Sequence, residues 1–361
     1  MAFHSPSESN CSVSLQRPPA MVEMLTEIWL SVLKRSSIGI DDNFFRTGGS
    51  VGSADLLFAE ISQRLGRELP AATIFRAPTI AALASLLDQT EFPRFSPFVQ
   101  LKAGNLKTPI IIAHGLDGRA SFSGLANRIQ TDHPIYGIQA KGVDGLEEPL
   151  DRIEDMAQFY LDALKKLQSQ GPYILIGYSF GGLVALEMAQ RLSEQKKDVG
   201  LLVLVDAYPH PRYLSVVQRL RLSAQRTKNH LLAMKQRTMR GAFSYLWDEL
   251  ERRLREAGIH TRGTGVPDAP PLSLAHTTLR VKRKAYVALE NYQPRAYSGK
   301  MNFIKSETDT YLPGDPLPVW AHLAAAFEAE TVRGSHLNMV TTHFEGLATV
   351  LTRYVTEAVG L

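Results

Sequence analysis

The sequence predicts a doubly wound α/β domain with a mostly parallel sheet, preceded by a small all-α bundle. Three observations carry this. From residue 108 onward, short apolar runs rich in β-branched residues alternate with helical patterns, the rhythm of βα units. One run, Tyr173-Ile174-Leu175-Ile176, feeds Gly177-Tyr178-Ser179-Phe180-Gly181-Gly182 and then a helical pattern from Leu183. Another, Leu201–Val205, is apolar throughout, as a strand buried on both faces of a parallel sheet must be.

The 361 residues suggest about two domains, and 44% apolar with 21% charged residues is ordinary for a soluble globular chain. The lone cysteine, Cys11, excludes an intramolecular disulfide and fits a reducing, cytoplasmic setting. No apolar run approaches the roughly 20 residues of a membrane span, so no membrane partner is expected. Residues 1–10 lack the basic start and apolar core of a signal peptide. The net charge of +4 is unevenly placed: residues 212–256 hold eleven Lys/Arg against four Asp/Glu, a net +7 that leaves −3 elsewhere. Neither aromatic interleaving nor a nucleic-acid motif accompanies that stretch, so a solvated helical face is expected rather than a nucleic-acid partner. No metal site is expected either.

Taken in order, residues 1–18 read as a polar, Ser/Pro-rich tail. Met21, Leu25, Ile28, Trp29, Val32 and Leu33 then recur at helical spacing, and after a loop over 38–49 so do Ala54, Leu57, Phe58, Ile61 and Leu65. Pro70 and Pro78 punctuate two shorter helical pieces, the second with Ile80, Leu83 and Leu87 on its apolar face. Four such helices in about 70 residues make a small bundle.

Residues 19–90 resemble the acyl/peptidyl carrier domain of nonribosomal peptide and polyketide synthases. The likeness rests on Ile38-Gly39, Asp42-Asn43-Phe44-Phe45, Gly48-Gly49 and the Ile74-Phe75…Pro78-Thr79 run. It implies a Gly-Gly-x-Ser turn whose serine carries a phosphopantetheine arm. Here Ser50 stands at x and Val51 at the serine position, while Ala54, Leu57 and Ile61 keep the register. A valine has no hydroxyl to form the phosphodiester. Either the domain is an unloaded relic or docking module, or Ser50 or Ser53 accepts the arm; the unshifted register favours the first.

Residues 91–107 read as a linker plus an entry strand. Ile110–Ala113 is a strand, followed by His114-Gly115-Leu116-Asp117-Gly118 and a helix near 121–130. A strand over 135–139, an amphipathic helix over Ile153–Leu167, the Tyr173 run with its helix, and Leu201–Val205 follow. Between about 208 and 288 the rhythm breaks into Lys/Arg-rich helical segments with a Gly/Pro stretch at 263–271. That is too long for a simple loop and is expected to be an inserted lid. Strands return at 301–305 and 327–332, and a last helix carries Phe344, Leu347, Val350, Leu351 and Tyr354.

Gly177-Tyr178-Ser179-Phe180-Gly181 has the G-x-S-x-G spacing of a nucleophile elbow, its glycines needed because the turn is tight. Ser179 at the tip is the candidate nucleophile, beside a helix N-terminus that favours developing negative charge. A serine hydroxyl needs a base, and the base an orienting acid. His336, in Arg333-Gly334-Ser335-His336-Leu337 after a strand, is the candidate base, with His114 as rival. Asp206, ending the Leu201–Val205 strand, is the candidate acid, with Asp309 as rival. Either acid keeps the Ser…Asp…His order of α/β-hydrolases. The backbone N–H groups of Phe180 and Leu116 are the candidate oxyanion donors, Gly115 and Gly118 letting the second loop fold closely.

With these residues in place, 108–361 resemble the type I thioesterase domain that ends nonribosomal peptide and polyketide assembly lines. The matching residues are His114-Gly115, Gly-Tyr-Ser-Phe-Gly-Gly, Val205-Asp206, Tyr292-Gln293-Pro294…Tyr297-Ser298-Gly299 and Gly334-Ser335-His336. The resemblance places the acid at Asp206. It implies an acyl or peptidyl thioester substrate, released by hydrolysis or cyclisation, with upstream synthase modules or carrier proteins as partners and no cofactor for the thioesterase itself. Two further readings stand beside it: a free-standing ester hydrolase, and a non-catalytic docking module with a degenerate carrier.

Overall fold

The computed structural model describes residues 19–67, 69–75, 77–88, 95–224, 273–308, 313 and 315–360. The expected tail, part of the linker, most of the expected lid (225–272) and Asp309 lie outside the described residues. The chain divides into two compact units, Met1–Arg94 with Leu272–Leu274, and Phe95–Pro271 with Ala275–Leu361.

The first unit holds α1 (Pro19–Leu33), α2 (Val51–Leu65), a 3-10 turn at Ala71–Phe75, and α3 (Ile80–Leu87). Its core gathers Leu25, Ile28, Trp29, Phe44, Leu57, Ile61 and Leu83, all fully buried. Trp29 meets Phe44 edge-on at 5.1 Å. The loop over 38–49 is stapled to the stretch before α3 by Phe44 N–H to Pro78 O (2.8 Å) and Ala81 N–H to Ile40 O (2.9 Å). Gly49 is required there, because a Cβ would overlap the Phe44 ring. The third expected helix is a 3-10 turn instead. Five residues after Pro70 are too few for the costly α nucleus, so short i→i+3 bonds such as Thr73 N–H to Pro70 O (2.9 Å) serve.

In the second unit β1 (Phe98–Lys102), β2 (Ile110–Ala113), β3 (Ile135–Ile138), β4 (Ile174–Tyr178), β5 (Leu201–Val205), β6 (Tyr297–Ser306) and β7 (Ala324–Val332) form one sheet. Its order is β1-β3-β2-β4-β5-β6-β7. Only β1 runs antiparallel, against β3. Its helices include α4 (Ser123–Arg128), α5 (Ile153–Leu167), α6 (Phe180–Glu194), α7 (Leu274–Asn291, which enters this unit at Ala275), α8 (Leu317–Trp320), α9 (Asn338–Thr341) and α10 (Glu345–Val359). No described helix is long and apolar enough to cross a membrane.

The central strands bury both faces with a period of two. Ile111, Leu175, Leu202 and Leu204 join α5 and α6 residues in one cluster. Ile110, Ile112, Ile174, Ile176, Tyr178, Val203 and Val205 join α4 and α10 residues in the other. Because β2 lies between β3 and β4, the winding reverses there. The loop after β2 and the turn after β4 therefore border the crevice where such sheets bind ligands.

The Tyr292-Gln293-Pro294 stretch is tied to α6 through buried Glu187. That carboxylate accepts from Arg191 Nε (2.8 Å) and the Tyr292 hydroxyl (3.1 Å), while Gln190 Nε2 donates to Arg295 O (2.6 Å). Burial, reinforced by the Glu187 charge, pushes the Tyr292 phenol far above its ordinary pKa, so it stays a donor. This anchors the helix that begins at the elbow.

Candidate active site

The turn after β4 is forced by sequence. Ser179 holds φ 55° and ψ −122°, a conformation costly for a residue with a side chain, by about 1–3 kcal/mol. Its surroundings fix it: Ser179 N–H donates to Val205 O (2.8 Å) and Gly182 N–H to Ser179 O (3.0 Å). A Cβ on Gly177 would run into the Gly181 and Gly182 backbone, and one on Gly181 into the His114 carbonyl. Ser179 is the N-cap of α6 yet its side chain caps nothing within the helix, so Oγ is left to face outward.

What it faces is His336. The His336 Nε2 stands 3.0 Å from Ser179 Oγ, and its Nδ1 3.3 Å from Asp206 Oδ2. Asp206 is 2% exposed and also holds φ 45°, pinned by its own N–H to Ile304 O (2.8 Å). Its Oδ1 accepts the Ser306 N–H at 2.9 Å, which aims Oδ2 at the imidazole. A carboxylate only accepts, so Nδ1 carries the proton and Nε2 is left with a lone pair for the serine O–H. Three strand ends, β4, β5 and β7, thus bring together Ser179, Asp206 and His336.

His114 is committed elsewhere. Its Nδ1–H donates to Gly115 O (2.7 Å) and its Nε2 lies 3.0 Å from the Tyr160 hydroxyl. Burial pulls its pKa down, so the ring is neutral and the Tyr160 O–H is the donor to Nε2. Burial likewise raises the Tyr160 phenol, keeping that proton in place. The Gly115 carbonyl accepts from Gly118 N–H as well (3.2 Å). Two donors therefore fix the Gly115–Leu116 peptide, and in a trans peptide the Leu116 N–H points the opposite way. The Phe180 N–H opens α6, among the amides with no acceptor inside their own helix.

The Tyr160–His114 pair escaped the sequence reading. Tyr160 sits on the buried stripe of α5 with Ile153, Met156, Ala157 and Leu164, and only its polar tip distinguishes it. Among the described residues, no cluster of His, Cys, Asp and Glu is gathered that would hold a metal.

Known protein families match this chain over both of its units. The family model described as thioesterase domain matches residues 108–354, and the one described as phosphopantetheine attachment site matches 23–87. The dimodular nonribosomal peptide synthase of Bacillus subtilis is 38% identical over 190 residues, 52% of this chain and 8% of that protein. The malpibaldin synthetase of Mortierella alpina is 28% identical over 336 residues, 91% of this chain and 6% of that protein. The chain therefore spans a small fraction of these relatives. A crystal structure of a four-domain nonribosomal peptide synthetase matches with TM-score 0.56 at 19% identity, over 100% of this chain and 28% of that one. The type II thioesterase BorB from the borrelidin cluster matches with TM-score 0.50 at 18% identity, over 73% of this chain and 100% of that one. At such identities these two speak for the fold alone. With a family model covering well over half its length, the chain belongs to the thioesterase domain family, and a domain of the phosphopantetheine-attachment-site family precedes it.

Proposed function

We propose that this thioesterase works through an acyl-serine intermediate on Ser179, with His336 as general base and acid and Asp206 as its orienting carboxylate. The observation that carries the reading is the chain of contacts from Ser179 Oγ through both His336 nitrogens to Asp206 (3.0 and 3.3 Å). In the first step Oγ attacks the thioester carbonyl carbon while Nε2 takes its proton. The C–S bond then breaks, and the proton passes from the imidazolium to the leaving thiolate. In the second, water, or a hydroxyl or amine of the acyl chain, attacks the acyl carbonyl carbon while His336 takes its proton; the C–Oγ bond then breaks and the imidazolium returns the proton to Ser179 Oγ. The N–H groups of Phe180 and Leu116 are the donors for each tetrahedral oxyanion, a contribution of about 3 kcal/mol per donor in comparable sites.

The substrate class is an acyl or peptidyl chain held as a thioester, in the setting of nonribosomal peptide or polyketide synthesis. The chain's own carrier-type domain does not fit a phosphopantetheine arm. Val51, at the serine position of the motif, opens α2 and offers no hydroxyl. Its neighbours are engaged with each other: Ser50 Oγ accepts Ser53 N–H (3.2 Å), Ser53 Oγ accepts Ser50 N–H (2.6 Å), and the two oxygens lie 3.1 Å apart. Loading either serine would break this reciprocal cap. The acyl group then reaches Ser179 from a carrier other than residues 19–90 or from a free thioester.

The test is to incubate the full chain with an acyl thioester of a small thiol and follow thiol release and the acyl adduct together. Turnover with a transient adduct on the Ser179 peptide supports the reading. Turnover without one, or its persistence in Ser179→Ala, overturns it.

A further inference from the structure

The residue before the nucleophile has contacts that neither the elbow nor the fold requires. Tyr178 ends β4, and strand alternation sends its side chain to the α4/α10 face with Ile174 and Ile176. There its hydroxyl donates to the His336 backbone carbonyl at 2.8 Å. Its ring stacks on the His336 imidazole, centroids 4.9 Å apart and planes at 24°. Phe122, from the segment after β2, packs edge-on against the same tyrosine ring at 5.9 Å. Gly115 lies close as well: a Cβ there would stand 3.4 Å from Tyr178 Cε1. At 8% exposure the ring is wedged among these segments.

His336 needs such support. It sits on an irregular segment between Gly334 (φ 108°) and α9, with 28% of its side chain exposed. Its bond to Asp206 is 3.3 Å, longer than the roughly 2.7–2.9 Å of a strong charge-assisted contact, so the carboxylate alone holds the ring loosely. Chemistry adds a second reason. When Nε2 takes the serine proton the imidazole becomes a cation, and an aromatic face attracts a cation more than a neutral ring. A contact that strengthens as charge develops accelerates the reaction rather than merely binding substrate.

We propose that Tyr178 is the positioning residue of the base: its hydroxyl fixes the His336 backbone, and its ring fixes the imidazole plane and favours the imidazolium. This rests on the reading of His336 as the base. The two contacts separate by mutation, since Tyr178→Phe removes only the hydroxyl and Tyr178→Leu removes both.

The experiment is a double-mutant cycle. Each variant is made in the full chain and in the His336→Ala background, and its thioester kinetics and fluorophosphonate labelling rate are measured. Solvent exchange of the His336 Nδ1–H proton is followed by NMR in the chains that keep the histidine. Tyr178→Phe is expected to lose about threefold to tenfold in kcat, and Tyr178→Leu about tenfold to a hundredfold, with KM little changed. Both should speed Nδ1–H exchange, and in the His336→Ala background neither should cost anything further. Equal losses in both backgrounds, or exchange at the wild-type rate, would overturn the proposal. Wild-type turnover by His336→Ala would instead remove the base assignment beneath it. If Tyr178→Leu does not fold, the isosteric Tyr178→Phe carries the test alone.

Discussion

Two of the described helices begin at a serine N-cap reached through a glycine turn, and they treat that serine in opposite ways. At α2, Ser50 holds φ −124° and ψ 173°, the extended conformation of an ordinary cap, and its Oγ folds back onto the Ser53 amide. At α6, Ser179 holds φ 55° and ψ −122° and its side chain caps nothing in the helix. Residue type is the same and both neighbourhoods are rich in glycine. The backbone angle decides whether the hydroxyl serves the helix or is presented outward. The strain at Ser179, about 1–3 kcal/mol, buys that presentation. The α2 terminus carries no such strain, and its hydroxyls are spent on stability.

The largest effect that could break this contrast is at Ser179. Ser179→Ala should cut turnover at least about 10³-fold and abolish fluorophosphonate labelling. Asp206→Asn comes next, with a loss of roughly 10²–10⁴-fold, because an amide at 206 no longer fixes the imidazole tautomer. It retains an oxygen for the Ser306 N–H, so the fold should survive and circular dichroism should be unchanged. On the α2 side, the wild-type chain should gain no mass from coenzyme A and a phosphopantetheinyl transferase, whereas Val51→Ser should gain the arm. A mass gain on the wild type that maps to Ser50 or Ser53 would erase the contrast.

Smaller effects sharpen it. Ser50→Ala should weaken α2 by about 1 kcal/mol, read as faster amide exchange in its first turn, while turnover of a small thioester stays the same. A drop in turnover would give Ser50 a role it lacks here. The smallest effect concerns His114. Burial lowers its pKa, so below about 6.5 the unfolded chain takes up a proton that the folded chain refuses. The stability held by the neutral ring is present above that pH and is lost as pH falls beneath it. His114→Gln, which cannot titrate, should flatten that limb of a denaturation series; an unchanged slope would mean other groups set it.

The parallel core of the fold was legible because its signals are local. Leu201–Val205 and Tyr173–Ile176 are apolar runs of strand length, and only glycine fits where Gly177 and Gly181 meet neighbouring backbone. The 3-10 turn at Ala71–Phe75 was less so, since helical composition says little when Pro70 and Pro78 leave too short a span. The candidate site was legible as far as strand ends dictate it: Ser179, Asp206 and His336 each follow a strand of one sheet. What supports them was not. Tyr160 reaches His114 from 46 positions away, and Tyr178 reaches the His336 carbonyl across 158. Neither contact leaves a local pattern, because each joins segments far apart in the chain. The positive φ of Asp206 has no signal in sequence at all, being imposed by its hydrogen bonds to β6.

One measurement tests the contrast between the two serines directly. The full chain is treated with coenzyme A and a phosphopantetheinyl transferase, then with a fluorophosphonate, and digested for peptide mass spectrometry. A single phosphonate adduct on Ser179, with the peptide carrying Ser50, Val51 and Ser53 unmodified, is the expected result. Phosphopantetheine on that peptide, or a phosphonate adduct that spares Ser179, would contradict the account.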